Sequence, residues 1–349
     1  MTHVLVARQD SVGDVLVTGP AIRAVAAGAH RVTLLCGRRG RAAAELLPGA
    51  DAIVEHTAPW IDPVPEPLDA GETLALVERL AALELDEAIV FTSFHQSALP
   101  LALLLRLAGV SRVAAISEDY PGSLLDVRHR PDDGLHEVER ALSLAAAAGY
   151  ELPPDDDGRL AVRSASAVPP LGPPYVVVHP GTSVPARAWP PERHAALVAA
   201  LAAQGRRVVV TGAPGERALT AAVAGRHGLD LGGQTTLGEL AGILAGAEAV
   251  VAGNTGPAHL AAAVETPVVS LFAPTVPAER WRPWGVPVEL LGDQAAPCAG
   301  SRATECPVPG HPCLTCVGVG DVLGALERLA CVRAGGSGEA RPPMLEVTP

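Results

Sequence analysis

The sequence predicts an α/β protein built from two doubly wound, Rossmann-like domains, and three observations carry that prediction. Short apolar runs alternate strictly with helical patterns, one stretch rich in Pro and Asp interrupts the alternation, and the chain has 349 residues of which 48% are hydrophobic. Strict alternation implies crossover connections and parallel strands. A chain of this length and apolar content fills two cores of ordinary size.

In the first half, strands are predicted at "HVLVAR", "RVTLLC", "AIVEH", "EAIVFT" and "RVAAIS". Each is a short apolar run bounded by turn residues. Helices between them are predicted around "PAIRAVAAG", "GRAAAELL", "TLALVERLAAL" and "SALPLALLLRLAG", and a last one at "LHEVERALSLAAAAG" closes the domain, taken as residues 1–150. The stretch "YELPPDDDGRLAVRSASAVPPLGPP" then supplies a linker, residues 151–174, because Pro, Gly and Asp break both periodicities. A second alternating series occupies 175–333: "YVVVHP", "PERHAALVAALAAQG", "RRVVVTG", "PGERALTAAVAGRHG", "LGELAGILAG", "AEAVVAG" and "PVVSLF". Residues 334–349, "AGGSGEARPPMLEVTP", read as a disordered tail. Two such domains joined by one linker place a cleft between the strand ends of both sheets.

Composition narrows the partners. The net charge of −12 argues against a nucleic-acid binder, whose footprint would be basic. The N-terminus "MTHVLVARQD" enters a strand pattern directly, without the basic and apolar regions of a signal peptide. The longest apolar candidate, "ALPLALLLRLAGV", falls short of the roughly 18 residues of a membrane span and carries Arg106. These features place the protein in the cytoplasm, with surface contact to a membrane left open.

Four turns carry the candidate chemistry. "GNTGPAHLAAA" follows an apolar strand and opens a helix: Asn254 precedes it, Thr255 can cap it, Gly256 permits close approach, and Pro257 fits the first turn. Such a helix start presents unpaired amides at the positive end of its dipole, which suits a phosphate. His259 lies one turn in; a histidine there is either packed on the sheet or a ligand to the anion. "HPGTSVPARAWPPERH" offers Thr182 and Ser183 as hydroxyl donors and Arg187 as a cation near the same place, together a pyrophosphate clamp. Trp189 reads as packing between this loop and its helix. Glu216, in "TGAPGERA", can accept hydrogen bonds from ribose hydroxyls or serve its own helix dipole.

The turn after the first strand, "RQDSVGDVLVTGPAIRAV", has Gly13 where a dinucleotide fold would show a cluster of glycines. Pro20 cannot sit deep in a helix, so a short turn from Gly13 to Val17, a break, and a second start capped by Thr18 are expected. Asp14 then either caps its own turn or projects from the strand end toward a ligand.

Four of the six cysteines fall in "CAGSRATECPVPGHPCLTC", at Cys298, Cys306, Cys313 and Cys316. The Cys313-Leu-Thr-Cys316 pair has zinc-ligand spacing, which allows a structural zinc site, although Cys298 and Cys306 do not form the close pair such sites use.

Taken together, "SVGDVLVTGPA", "HPGTSVPARAWP", "TGAPGERA", "GNTGPAHLAAA" and "PVVSLFAPT" resemble glycosyltransferase family 9, the heptosyltransferase family, in matching order along nearly the whole chain. The resemblance implies a GT-B fold and inverting transfer of a sugar from a nucleotide diphosphate donor, typically ADP-heptose, to a saccharide or glycolipid acceptor of the cell envelope. It implies Asp14 as catalytic base. Thr182, Ser183 and Arg187 fall at the donor phosphates, Glu216 at the ribose, and Asn254, Thr255, Gly256 and His259 in the donor motif. Many members carry Asp in place of Asn254. No cofactor is implied. A nicotinamide-dependent oxidoreductase or epimerase and a non-catalytic sugar-nucleotide binder are the competing expectations.

Overall fold

The computed structural model describes residues 2–163, 171–172 and 174–334. The chain divides into two compact units, with the division after Arg163.

The first unit runs β1 (His3–Arg8), α1 (Val12–Val17), α2 (Gly19–Gly28), β2 (Arg31–Cys36), α3 (Arg41–Leu46), β3 (Ala52–Glu55), α4 (Ala70–Ala81), β4 (Glu87–Val90), α5 (Leu99–Leu107), β5 (Arg112–Ile116), β6 (Val127–His129) and α6 (Glu137–Ala147). Its sheet has the order β3-β2-β1-β4-β5-β6, and all its pairings are parallel. Strands covered by helices on both faces need continuous apolar runs rather than alternation. Accordingly Val4, Leu5 and Val6 of β1 are fully buried in succession.

The second unit repeats the plan: β7 (Tyr175–His179), α7 (Pro191–Ala203), β8 (Arg207–Val210), α8 (Arg217–Ala224), β9 (Leu229–Asp230), α9 (Leu237–Ala245), β10 (Ala247–Gly253), α10 (Gly256–Ala263), β11 (Val268–Leu271), α11 (Ala278–Trp281), β12 (Val288–Leu291), α12 (Pro312–Thr315) and α13 (Val319–Ala334). Its parallel sheet has the order β12-β11-β10-β7-β8-β9. In each unit the order reverses beside the first strand, between β1 and β4 and between β7 and β10. Ligands of open parallel sheets bind outside the carboxyl ends of the strands at such a point.

Three short edge strands, β6, β9 and β12, are absent from the sequence expectation, because two to four partly exposed residues leave no periodic signal. Helix α13 is a different case. Val322, Ala325, Leu326 and Leu329 are buried at helical spacing, a pattern the sequence carried in full.

Residues 151–163, expected as the start of a linker, pack on the first unit. Asp156 receives both Nε (2.6 Å) and Nη2 (2.7 Å) of Arg23, and Arg163 donates to the carbonyl oxygens of Leu47 and Ala50. Polar composition marked a break in periodicity there, but side-chain pairing orders the chain through it. The expected tail falls outside the described residues from 335 onward. Among the described residues, no helix is long and apolar enough to cross a membrane.

Candidate functional site

In the first unit, a buried cation organises the turn after β1. Arg8 ends that strand with 2% of its side chain exposed; its Nη2 donates to Asp14 Oδ1 (3.0 Å) and to Ser93 Oγ (2.8 Å). Its Nε lies 2.8 Å from Asp10 Oδ2, and its Nη1 lies 3.8 Å from Glu137. A buried guanidinium requires such company, since an unpaired charge in a core costs several kcal/mol.

Asp14 sits in the first turn of α1. Its Oδ2 accepts from Ser11 Oγ (2.5 Å) and from the Ser11 amide (3.2 Å), so one oxygen serves the helix start. The other oxygen faces Arg8 and Ser93 (3.4 Å to Ser93 Oγ). Asp14 thus serves its own turn, the first of the two expectations, while its second oxygen meets the protein groups Arg8 and Ser93. Burial would raise its pKa, but Arg8 and then the Ser11 hydrogen bonds outweigh it and hold the carboxyl below its ordinary value. Asp14 is ionised throughout the neutral range.

The break between α1 and α2 is present, but Thr18 does not cap α2. Its backbone is itself helical (φ −82°, ψ −10°), and its hydroxyl donates back to the Asp14 carbonyl oxygen at 2.9 Å. A capping side chain needs an extended residue to reach forward over the first turn.

In the second unit, three turns emerge side by side. β7 pairs with β8 on one side and with β10 on the other, so Thr182, Ser183 and Arg187 leave the central strand, Glu216 the strand to one side, and Asn254 to His259 the strand to the other. All three turns leave from carboxyl strand ends.

The turns also touch. A side chain at Gly253 would lie 3.3 Å from the carbonyl oxygen of Arg187, and one at Gly181 would overlap both carboxylate oxygens of Glu216. Glycine at these places lets neighbouring backbones close around a common point. Thr182 is partly buried and its Oγ1 accepts from the Val184 amide (3.2 Å), whereas Ser183 is exposed. Glu216 Oε2 accepts from the Ala213 amide at 2.7 Å.

Thr255 precedes α10 as its N-cap residue with an extended backbone, as expected, yet its hydroxyl donates to the Gly253 carbonyl oxygen (3.4 Å) and accepts no helix amide. Pro257 offers no amide, and the Ala258 amide already bonds the Thr255 carbonyl oxygen (3.1 Å). Asn254 and His259 are buried, at 7% and 3% exposure. His259 thus presents little surface to a ligand.

Trp189 packs as expected. Its Nε1 donates to the Val317 carbonyl oxygen (3.1 Å) and its ring meets His194 edge-on at 4.7 Å. Burial pushes His179 down to about 4 and His194 down to about 3, so both are neutral beneath the turn.

The four cysteines do not form the expected ligand set. Cys298 and Cys313 lie in the apolar core, while Cys306 and Cys316 donate to nearby carbonyl oxygens (both 3.4 Å). Among the described residues, no group of three or more His, Cys, Asp or Glu could hold a metal ion. Burial and the neighbouring Cys298 and Cys306 push the Cys313 thiol up to about 12. The segment instead braces the turn of Arg187: the Ala186 amide donates to Thr304 (2.9 Å), and His311 Nε2 lies 3.0 Å from the Ala186 carbonyl oxygen.

Sequence reasoning missed Arg8, Asp10, Ser93, Gln96 and Glu137. Only Arg8 and Asp10 left a signal, as charges at the end of a buried strand.

Replacing Gly181 by Ala is expected to push the Glu216 carboxylate off the Ala213 amide. The loss of one such hydrogen-bonding group at a ligand corresponds to about 1 kcal/mol, or roughly fivefold in affinity. If Glu216 holds the nucleotide, calorimetry will show this loss for a bound nucleotide, and Glu216→Ala will add little to it. An unchanged affinity in Glu216→Ala would place Glu216 outside the site, and additive losses would show that Gly181 acts by another route.

The family model for glycosyltransferase family 9 (heptosyltransferase) matches residues 73–311. Lipopolysaccharide heptosyltransferase 1 of Pseudomonas aeruginosa is 30% identical over 322 residues, covering 87% of this chain and 88% of that protein. Among solved structures, ADP-heptose lps heptosyltransferase II of E. coli has TM-score 0.73 at 19% identity, covering 96% of this chain and all of that one. The E. coli heptosyltransferase WaaC with ADP has TM-score 0.72 at 21% identity, covering 94% of this chain and all of that one. These structural likenesses bear on the fold, and they match the two doubly wound units of a GT-B protein.

Proposed function

The chain belongs to glycosyltransferase family 9 and is a glycosyltransferase; from that premise we propose that it transfers heptose, with inversion, from ADP-heptose to a saccharide or glycolipid acceptor of the lipopolysaccharide type. The observation that carries this reading is the meeting of three turns at the order reversal of the second sheet, with Arg187, Glu216 and the start of α10 around one point. Family membership decides against the oxidoreductase and the non-catalytic binder. The donor is assigned by similarity to the heptosyltransferases above, one of them solved with ADP.

In this reading the second unit holds the donor. Thr182, Ser183, Arg187 and the amides at Thr255 and Gly256 face the diphosphate, Glu216 takes the ribose, and Asn254 and His259 set the shape of the α10 start. The first unit holds the acceptor, with Asp14 as general base. The acceptor hydroxyl gives its proton to Asp14, its oxygen bonds the anomeric carbon, and the bond from that carbon to the diphosphate breaks, its electron pair leaving with ADP. The leaving group needs positive potential more than a proton, and a helix start with an arginine supplies that without a metal. A glycolipid acceptor would bring the protein to the inner membrane surface by way of its substrate.

Calorimetry with ADP, UDP, GDP and NAD, followed by transfer from ADP-heptose to a heptose-free lipopolysaccharide core acceptor, tests the reading. Selective ADP binding with release of ADP during transfer is expected. Binding of a different nucleoside diphosphate would replace the donor, and binding of NAD alone would overturn the site.

A further inference from the structure

Arg8 is shared, and the sharing has a chemical consequence for Asp14. Three carboxylates, those of Asp10, Asp14 and Glu137, surround Arg8, and Arg140 lies 3.7 Å from Glu137 as the second guanidinium of the group. Asp10, 10% exposed, is the carboxylate of this group that lines a small pocket, with Trp60, Phe91 and Leu101. Gln96 is fixed to serve it. The Ser93 amide donates to Gln96 Oε1 at 2.9 Å, which turns Gln96 Nε2 toward Asp10 Oδ1 as a donor.

We propose that Asp10 is a positioning residue for the transfer reaction: by competing with Asp14 for Arg8, the ionised Asp10 carboxylate raises the basicity of Asp14. This rests on Asp14 acting as base in the proposed function. The need for such a residue follows from the contacts of Asp14. Arg8 and Ser11 keep it ionised, but the same stabilisation makes it a poor proton acceptor. An ionised Asp10 draws Arg8 Nε to itself and adds a like charge nearby, and both effects return basicity to Asp14.

The groups facing Asp10 are Arg8 from β1, Asp14 from α1, Gln96 from the turn after β4, and Glu137 from α6. Burial raises the Asp10 carboxyl to about 6, with Arg8 and Gln96 opposing and Asp14 and Glu137 adding to the rise. As pH falls through that value Asp10 takes a proton, Arg8 is left to Asp14 and Glu137 alone, and transfer slows. The acid limb of the rate profile therefore reports Asp10, since Asp14 itself titrates below its ordinary value.

Single-turnover transfer by wild type, Asp10→Asn and Asp10→Glu between pH 5 and 8.5 tests this. The neutral variant mimics the protonated state at every pH. Wild type is expected to exceed Asp10→Asn by about threefold at pH 8, the effect of one pKa unit on a base with a Brønsted coefficient of about 0.5, and to converge with it near pH 5. Asp10→Glu should keep an acid limb. A ratio that stays constant across pH would show that Asp10 merely supports the fold, and so would an unchanged acid limb in Asp10→Asn.

Should Asp10→Asn fail to melt cooperatively, Gln96→Met provides the same test. Removal of the donor to ionised Asp10 should move the acid limb to higher pH, and an unmoved limb overturns the proposal. The proposed function fails separately. Full activity in Asp14→Asn would remove the base itself, whereas an inactive Asp14→Asn with a flat Asp10→Asn ratio removes only the role of Asp10.

Discussion

Asp14→Asn is expected to lower the transfer rate by about 10³-fold while ADP affinity stays within about twofold, the range for loss of a positioned general base. Asparagine keeps the shape of the side chain and can still accept from Ser11, so α1 keeps its start. What it loses is the charge. Arg8 retains Asp10 at 2.8 Å and Glu137 at 3.8 Å, so the guanidinium is not left without a carboxylate. The fold should therefore tolerate the change, and a thermal melt checks that. ADP belongs to the second unit in the proposed assignment, and Asp14 to the first. Binding and chemistry should separate cleanly. Parallel loss of ADP binding and transfer would point to a structural role for Asp14, and retained transfer would remove it from the mechanism.

Arg187→Ala carries the second large effect, with the opposite signature. A hydrogen-bonded charge at a diphosphate contributes about 1.5–3 kcal/mol, so ADP affinity should fall by roughly 10- to 100-fold. The loss should shrink as salt is raised, because screening weakens the wild-type contact as well. Arg187 stands on a one-turn 3-10 helix, Pro185–Arg187, whose middle residue is tied to Thr304 and His311. Its backbone is held without the side chain, so truncation should remove the cation and leave the turn in place. Arg187→Lys should restore part of the affinity, since an ammonium keeps the charge but not the planar fork. Calorimetry with ADP at two salt concentrations decides it. An unchanged affinity would remove Arg187 from the phosphate site and leave the start of α10 as its main support.

The candidate turns of the two units differed in how much of them the sequence disclosed. Thr182, Arg187, Glu216 and Thr255 all follow apolar strands in the connection to the next helix, so periodicity located each turn and turn chemistry marked it. Their side-chain contacts were less legible. Thr18 and Thr255 were both expected to cap, and both hydroxyls instead bond a carbonyl oxygen behind them. A hydroxyl chooses among several partners of nearly equal energy, and the backbone angles of its own residue settle the choice. The cysteines show the same limit. Cys313 and Cys316 have the spacing of a metal pair, but one faces the core and the other is exposed.

The sequence by itself determined the class of fold, the place of the four candidate turns, and the family, because these rest on local pattern and on the order of motifs along the chain. Tertiary structure decided which strands are neighbours, and so that the turns after β7, β8 and β10 share one point. It also decided that Arg8 is divided among Asp10, Asp14 and Glu137. Hydrogen-bond and charge partners are chosen by packing across elements distant in sequence, where burial makes an unpaired charge too costly to keep. No local period records that choice.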